Sequence, residues 1–320
     1  MPRLPQPIPY QGSKRNIANK ILRFVPAGNQ GFVELFAGSA ALSVAAAYHK
    51  KATRFILNDL NAPLMQLLHE IIESPQQIAD RYEQLWQAQL GQERAYYDQI
   101  REQFNQTQQA DHFLYLLARC VKASVRYNRN GEFNQSPDNR RKGRRPASMR
   151  QEIARVSQLL KGRTQIFSSD YADVLCHIDD GDLVYLDPPY QGTSGHKDRR
   201  YYQGLPFDEL VALLETLNLR QLNYILSYDG RKGSTQYGQR LPAYLGLHKL
   251  EIQAGRSTQS TLLGGNDITV ESLYLSPALN NVLKENHQSI HCVPTRYRHN
   301  LQAPLSGNPF APLRLRGQSS

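Results

Sequence analysis

The sequence predicts an α/β protein in which a parallel sheet with crossover helices is interrupted by a mainly helical insertion. Three observations carry that expectation. Short apolar runs alternate with helix-like segments near the amino terminus, an alternation that sets strands side by side with helices on the faces. From residue 74 to 163 the rhythm changes to apolar residues at helical spacing. After 164 the strand–helix alternation resumes.

Each element follows in order. "GFVELF" (31–36) reads as a strand ending at the small-residue turn "AGSA", followed by a helix-like "ALSVAAAYHKK" (41–51). "RFILND" (54–59) is a second strand, with a helix-like run from about 61 to 72. "SPQQIADRYEQLWQAQL", "QERAYYDQIREQFN" and "ADHFLYLLARCVKASVR" are amphipathic helices, and a basic segment rich in Gly, Asn and Pro, "RYNRNGEFNQSPDNRRKGRRPASMR" (126–150), follows them. "RTQIFSSD", "DLVYLD" and "NYILSYD" are strands separated by the helical "YADVLCHI" and "PFDELVALLETLN". "YLGLHKLEI" and "ITVESLYLS" are expected to pair antiparallel at a sheet edge. The predicted domains are thus a core made of 1–73 and 164–276, an inserted domain at 74–163, and a polar, poorly ordered tail at 277–320.

Composition narrows the partners. Among 320 residues, 38 Lys and Arg against 28 Asp and Glu give a formal charge of +10, which favours a polyanion. No apolar stretch approaches a membrane span, and "MPRLPQPIPYQG" lacks the pattern of a signal peptide. Cys120, Cys176 and Cys292 are odd in number and widely spaced, as expected of a reduced, cytoplasmic protein. Cys176 and His177 have no partner pattern, and no His/Cys cluster suggests a metal.

The chemistry centres on "DLVYLDPPYQG" (182–192). Prolines cannot donate to a ladder, so the strand must stop at Asp187. The Asp187 carboxylate and the carbonyl of Pro188 are then two acceptors, the second left unquenched locally because Pro189 has no N–H. Two acceptors suit the two N–H donors of an exocyclic amine, and Tyr190 offers a stacking face for a planar base. Accepting from both N–H groups favours a pyramidal nitrogen and frees its lone pair, so Asp187, Pro188, Pro189 and Tyr190 look built to make an aromatic amine attack an electrophile. A turn with a buried tyrosine is the structural alternative.

Further motifs are compatible with a cofactor. Ala37, Gly38, Ser39 and Ala40 allow a tight strand-to-helix turn and close ligand approach, without the full dinucleotide glycine pattern. Asp59 ends the next strand, about twenty residues past Gly38, where an acid can accept from ribose hydroxyls; a helix cap is its other reading. Tyr10 and Lys14 flank a Gly-Ser turn, where a lysine can meet a carboxylate or simply face water.

In this order, "PYQGSK", "FVELFAGSAAL", "NDLN", a long insertion and "DPPY" resemble the Dam-like DNA adenine-N6 methyltransferases, over roughly residues 6–276. Tyr10-Gln11 stands where one branch of that family has Trp-Ala. The resemblance implies a Rossmann-like core with S-adenosyl-L-methionine as cofactor. It implies Lys14 and Tyr10 near the cofactor carboxylate, Phe36, Ala37 and Gly38 under its methionine moiety, and Asp59 at the ribose. Asp170 and Tyr171 would meet its adenine, and Asp187 to Tyr190 would hold the target base. It also makes 74–163 a target-recognition domain for double-stranded DNA, since "VRYNRNGEFNQS" resembles the recognition segment of that family. Arg126, Asn128, Arg129, Asn134, Arg140, Arg141, Lys142, Arg144 and Arg145 are the candidate DNA contacts, with phosphates supplying affinity and one or two side chains reading base edges. A solvated, flexible basic loop is the alternative. The expected reaction is methylation of adenine N6 after base flipping, with a cognate restriction endonuclease as a possible functional partner. The N4 amine of cytosine, a non-catalytic DNA-binding protein on the same core, and a methylase of RNA or of protein glutamine are the competing readings.

Overall fold

In the computed structural model, residues 3–189, 204–229, 231–232, 235–236, 238–256 and 268–291 are described. Five strands form the parallel sheet: β1 (Gly31–Glu34), β2 (Arg54–Asn58), β3 (Thr164–Phe167), β4 (Leu183–Leu186) and β5 (Asn223–Ser227), in the spatial order β3-β2-β1-β4-β5. β1 lies between β2 and β4, with Phe32 opposite both Phe55 and Leu183. Every residue of β1 and β4 is buried, which is why these strands read as continuous apolar runs rather than alternating ones. The chain winds outward from β1 to β3, then returns to β4 beside β1. The crevice at the carboxyl ends of β1 and β4 is therefore the switch point where such sheets bind ligands.

The antiparallel edge is present as predicted. A short β6 (Arg231–Lys232) and β7 (Thr235–Gln236) form a hairpin, and β8 (His248–Arg256) pairs with β9 (Ile268–Leu275), which itself runs antiparallel to β5. Sequence periodicity gave no sign of the β6–β7 hairpin, whose strands are two residues each.

Helices cover both faces. Ahead of the sheet lies α1 (Ala18–Ile21). α2 (Ala41–Tyr48) and α3 (Ala62–Glu73) pack with the inserted α4 (Pro75–Ala88), α5 (Glu93–Thr107), α6 (Ala110–Arg119) and α7 (Pro146–Leu160) over the face bearing Phe32, Phe55 and Tyr185. The short α8 (Tyr171–Val174) and α9 (Phe207–Leu219) lie over the other face, with Val33, Ile56, Val184 and Leu226. One hydrophobic cluster runs from the sheet into the insertion, joining Phe32 and Ile225 to Tyr82, Phe104 and Phe133. The insertion interrupts the order of strands in sequence without a separate core of its own.

The basic segment after α6 is tethered from beneath. Tyr82 Oη donates to the carbonyl of Arg144 at 2.7 Å, Gln89 Nε2 to that of Lys142 at 2.9 Å, and Tyr97 Oη to that of Gln135 at 2.8 Å. Phe133 is held in a ring cluster with Phe104 and Phe113, which stack at 4.8 Å. Buried Arg119 donates to Gln89 and Tyr115 below this segment. Backbone held by buried donors argues against a loop that is merely solvated.

The tail requires a correction. Residues Pro277–His291 form a helix, α10, where polar composition suggested irregular chain. Ser276 accounts for it: its Oγ accepts from Leu279 N at 3.1 Å, and Pro277 follows with a φ suited to the first helical turn. Leu279 is buried and Leu283 packs against the core. Residues to Leu283 form one compact unit and a second begins at Lys284. Tyr190, Cys292, residues 257–267 and residues 292–320 lie outside the described residues. Among the described residues, no helix is long and apolar enough to cross a membrane.

Candidate active site

The turn after β1 is built from small residues because backbone must pass where side chains would collide. Gly38 has φ +51°, and a Cβ there would meet Cε1 of Tyr10 at 3.2 Å, so Tyr10 packs directly over the glycine. Ala40 also takes a left-handed conformation, φ 53°, and its carbonyl opens α2 by accepting from Val44. Asp59 clamps this turn. Its Oδ2 accepts from Gly38 N at 2.9 Å and its Oδ1 from Asn61 N at 3.0 Å. The side-chain cap of α3 is Asn61, which accepts from Leu64 N, so Asp59 is free of the capping role. Burial raises the Asp59 carboxyl above its ordinary range against those two N–H donors. A carboxylate oxygen that takes one N–H keeps capacity for another.

Asn58 joins the strand ends. Its Nδ2 donates to Leu35 O at 3.2 Å and Ser169 O at 3.1 Å, while its Oδ1 accepts from Ser169 N. This sets the start of α8 beside the turn. Asp170 caps α8, accepting from Ala172 N at 2.9 Å, and the Tyr171 ring lies 5.8 Å from that of Phe36. Phe36, Ala37, Gly38, Asp59, Asp170 and Tyr171 thus share the carboxyl edge of β1, β2 and β3.

Asp187 follows β4 across the switch point. Its carboxyl is raised to about 6, first by burial and next by the nearby Glu271 charge, against the opposing attraction of Lys14. Lys14 Nζ stands 3.3 Å from Asp187 Oδ1 and 3.1 Å from Glu271 Oε2. The lysine expected at the cofactor carboxylate is therefore engaged by two carboxylates of the chain itself. Pro189 O accepts from Leu205 N at 3.1 Å, which fixes the end of the proline pair. Pro188 lies between Asp187 and Pro189 in this turn, and Tyr190 falls outside the described residues.

Two residues went unnoticed in sequence. Glu34, the last residue of β1, is buried, accepts from Ser43 N at 2.7 Å, and has its carboxyl raised to about 7, chiefly by burial, with the charges of Asp187 and Asp59 adding. An acid inside the apolar run "GFVELF" was the available signal. Glu271 had none, being one polar residue in an alternating edge strand. Tyr185, paired in register with Glu34, has its phenol driven well above the ordinary value, first by burial and then by Asp187.

The amino-terminal segment reaches the insertion as well. Gln11 N donates to Ala123 O at 2.9 Å, and Lys122 and Ala123 both hold positive φ, a strained pair that presents this carbonyl. Tyr127 Oη donates to Asn61 Oδ1 at 3.2 Å. Of the candidate DNA contacts, Arg140 and Arg141 face Asp138, Lys142 faces Glu93, and Arg144 faces Glu152, all with the cationic groups partly or largely in solvent. Asn128 folds its own turn, accepting from Asn130 N and Glu132 N and donating to Glu132 Oε2. These bonds order the 128–132 turn and use one of the two N–H donors of the Asn128 amide. Arg126, Arg129, Asn134 and Arg145 are exposed.

The profile of the D12 class N6 adenine-specific DNA methyltransferases matches residues 10–253. The chain is 30% identical over 218 residues to the retron Ec67 DNA adenine methylase of Escherichia coli, spanning 66% of this chain and 71% of that protein. It is 26% identical over 273 residues to the DNA adenine methylase of Escherichia coli K12, covering 82% and 92% respectively. It is 24% identical over 235 residues to the type II methyltransferase M.FokI of Planomicrobium okeanokoites, covering 69% of this chain and 35% of that one. The cytosine and non-catalytic alternatives are not favoured. With its Rossmann-like core and its match running from Tyr10 into β8, the chain belongs to the D12 class of N6 adenine-specific DNA methyltransferases.

Proposed function

We propose that the protein methylates adenine N6 in double-stranded DNA with S-adenosylmethionine as donor, and that Asp187 and Pro188 hold the reacting amine. The observation that carries this is the placement of Asp187 across the switch point from the Gly38–Asp59 clamp. The residues fit the cofactor. The missing side chain of Gly38 lets Tyr10 close directly over the turn, and Asp59 sits at the strand end with acceptor capacity to spare. Tyr10 and Phe36–Gly38 would line the amino-acid portion, Asp59 the ribose, and Asp170 with Tyr171 the adenine. When bound, the cofactor supplies an electrophilic methyl group.

The chain's own residues do the rest. A flipped adenine costs a few kcal/mol of stacking and pairing, and Tyr190 is the residue proposed to restore a stacking surface. Asp187 accepts one N–H of the amine and the Pro188 carbonyl the other, so the nitrogen lone pair is released from the ring. As positive charge develops on nitrogen, the Asp187 carboxylate stabilises it. Holding the amine in place replaces a bimolecular encounter by an oriented one, and no covalent protein intermediate is needed.

Residues 74–163 are proposed as the DNA-recognition module, with Arg126, Arg129, Arg140, Arg141, Lys142, Arg144 and Arg145 tracking phosphates and Asn134 near the bases. A cytoplasmic location is proposed alongside the DNA substrate. A restriction endonuclease of the same sequence specificity is a functional partner suggested by the likeness to a type II methyltransferase. The test is Asp187→Ala assayed on unmethylated duplex DNA. Methylation should fall at least about 100-fold while DNA and S-adenosylmethionine still bind in calorimetry. Near-full activity would refute the assignment.

A further inference from the structure

Three segments far apart in sequence meet at one ammonium. Lys14 comes from the amino-terminal turn, Asp187 from the end of β4 and Glu271 from the edge strand β9, and Lys14 Nζ lies at nearly equal distances from the two carboxylates, 3.3 and 3.1 Å. All three side chains are mostly enclosed, with 12%, 22% and 19% of their surfaces exposed. An ammonium is a compact charge with three donors, so it can serve two acceptors at once. Left with Asp187 alone, it would close into a direct pair and occupy the acceptor that the target amine needs. Left with Glu271 alone, it would abandon Asp187 to a largely buried site without a counter-ion.

We propose that Glu271 is a positioning residue for methyl transfer: by sharing the Lys14 ammonium, it holds that cation back from a closed pair with Asp187 and so leaves the Asp187 carboxylate able to accept the amine N–H. The inference rests on the reading of Asp187 as the amine acceptor. The groups facing Asp187 are Lys14 from the amino-terminal segment, Glu271 from β9, Tyr185 from β4 and Glu34 from β1. Tyr185 is neutral at working pH. Glu34 responds to Asp187 and Asp59, so a change of charge at Glu271 reaches Asp187 first. Removing that charge hands Lys14 to Asp187, which favours the Asp187 anion but ties it down.

The test is the pH profile of single-turnover methylation, using tritiated S-adenosylmethionine and unmethylated duplex genomic DNA. Wild type, Glu271→Gln, Glu271→Asp and Asp187→Ala are compared. For Glu271→Gln the acid limb should move down by at least about half a pH unit, so the ratio of the rate at pH 5.5 to that at pH 8 rises about twofold or more. Its plateau rate should fall several-fold with DNA affinity unchanged, and Glu271→Asp should restore both features in part. An unchanged acid limb and plateau in Glu271→Gln would overturn the proposal, with Asp187→Ala inactive showing that the parent reading stands. A loss uniform across pH and equal in both Glu271 variants, with lowered melting temperatures, would assign Glu271 a purely structural role and also overturn it. An active Asp187→Ala would instead remove the parent reading.

Discussion

The buried carboxylate of Glu34 accepts the backbone N–H of Ser43 at 2.7 Å, so the last residue of β1 caps the helix that follows its own turn. The helix amino terminus favours an anion there, yet burial wins and lifts the carboxyl to about 7. A carboxyl raised in the folded state binds protons more tightly folded than unfolded. Its stabilising contribution is therefore complete below the unfolded value near 4.5 and is lost as pH rises to about 7. Glu34→Gln keeps the oxygen acceptor and removes the charge. The variant should gain up to roughly 3 kcal/mol over wild type at pH 8 and little at pH 4.5. Urea denaturation at both values checks it, and an equal difference at the two pH values would refute it.

Gly38 offers a test of the turn beneath Tyr10. An added methyl group meets Tyr10 at 3.2 Å, and φ +51° is costly for a residue with a Cβ. Gly38→Ala should lose about 1–2 kcal/mol of stability. The displacement of Tyr10 and of the Asp59 clamp should weaken S-adenosylmethionine binding about tenfold, a change of about 1.4 kcal/mol. Calorimetry on the folded variant separates the two effects. Unaltered cofactor affinity would place the cofactor away from this turn.

How far these features were readable in the sequence depends on the range of the interaction that makes them. The parallel strands and covering helices follow from local apolar runs, and "DPPY" and "FAGS" announce themselves through proline and glycine, whose backbone constraints are local. Asp59 was visible as an acid at a strand end, but its release from capping depends on Asn61 taking that task. Lys14 stood out beside its Gly-Ser turn as a lysine able to meet a carboxylate, but Glu271 is an ordinary charged residue until β9 folds beside β5, and nothing within its segment marks it. The helix at Pro277–His291 was missed because the segment is polar in composition; its cap, Ser276, also belongs to contacts with β5 that are more than fifty residues away in sequence.

The basic segment should divide by geometry. Arg129 and Arg145 are exposed, whereas Arg140 and Arg141 sit against the enclosed carboxylate of Asp138, which they hold down at about 2. Arg129→Ala and Arg145→Ala should each lower the slope of log affinity against log salt by about one, uniformly across DNA sequences. Asp138→Asn releases two cations from a competing anion and should tighten binding to random-sequence duplex at low salt. Fluorescence anisotropy titrations at several salt concentrations read both. Slopes identical to wild type would move the phosphate contacts elsewhere.

Ser276 ties the edge of the sheet to the helix after it. Its Oγ accepts from Tyr224 N and Leu279 N and donates to Leu222 O, each at 3.1 Å, with the residue fully buried. Alanine there leaves two N–H groups and a carbonyl without this partner in a site water does not reach, a cost of about 2–3 kcal/mol. Because β9 carries Glu271 five residues upstream, loosening this junction should also disturb the shared Lys14 ammonium. Ser276→Ala should therefore lower the urea midpoint and, in the fraction that stays folded, reduce the methylation rate more than DNA affinity. Ser276→Thr retains the hydroxyl and should recover most of the stability. A Ser276→Ala protein as stable as wild type would mean that the hydroxyl's three hydrogen bonds do not hold the helix to the sheet.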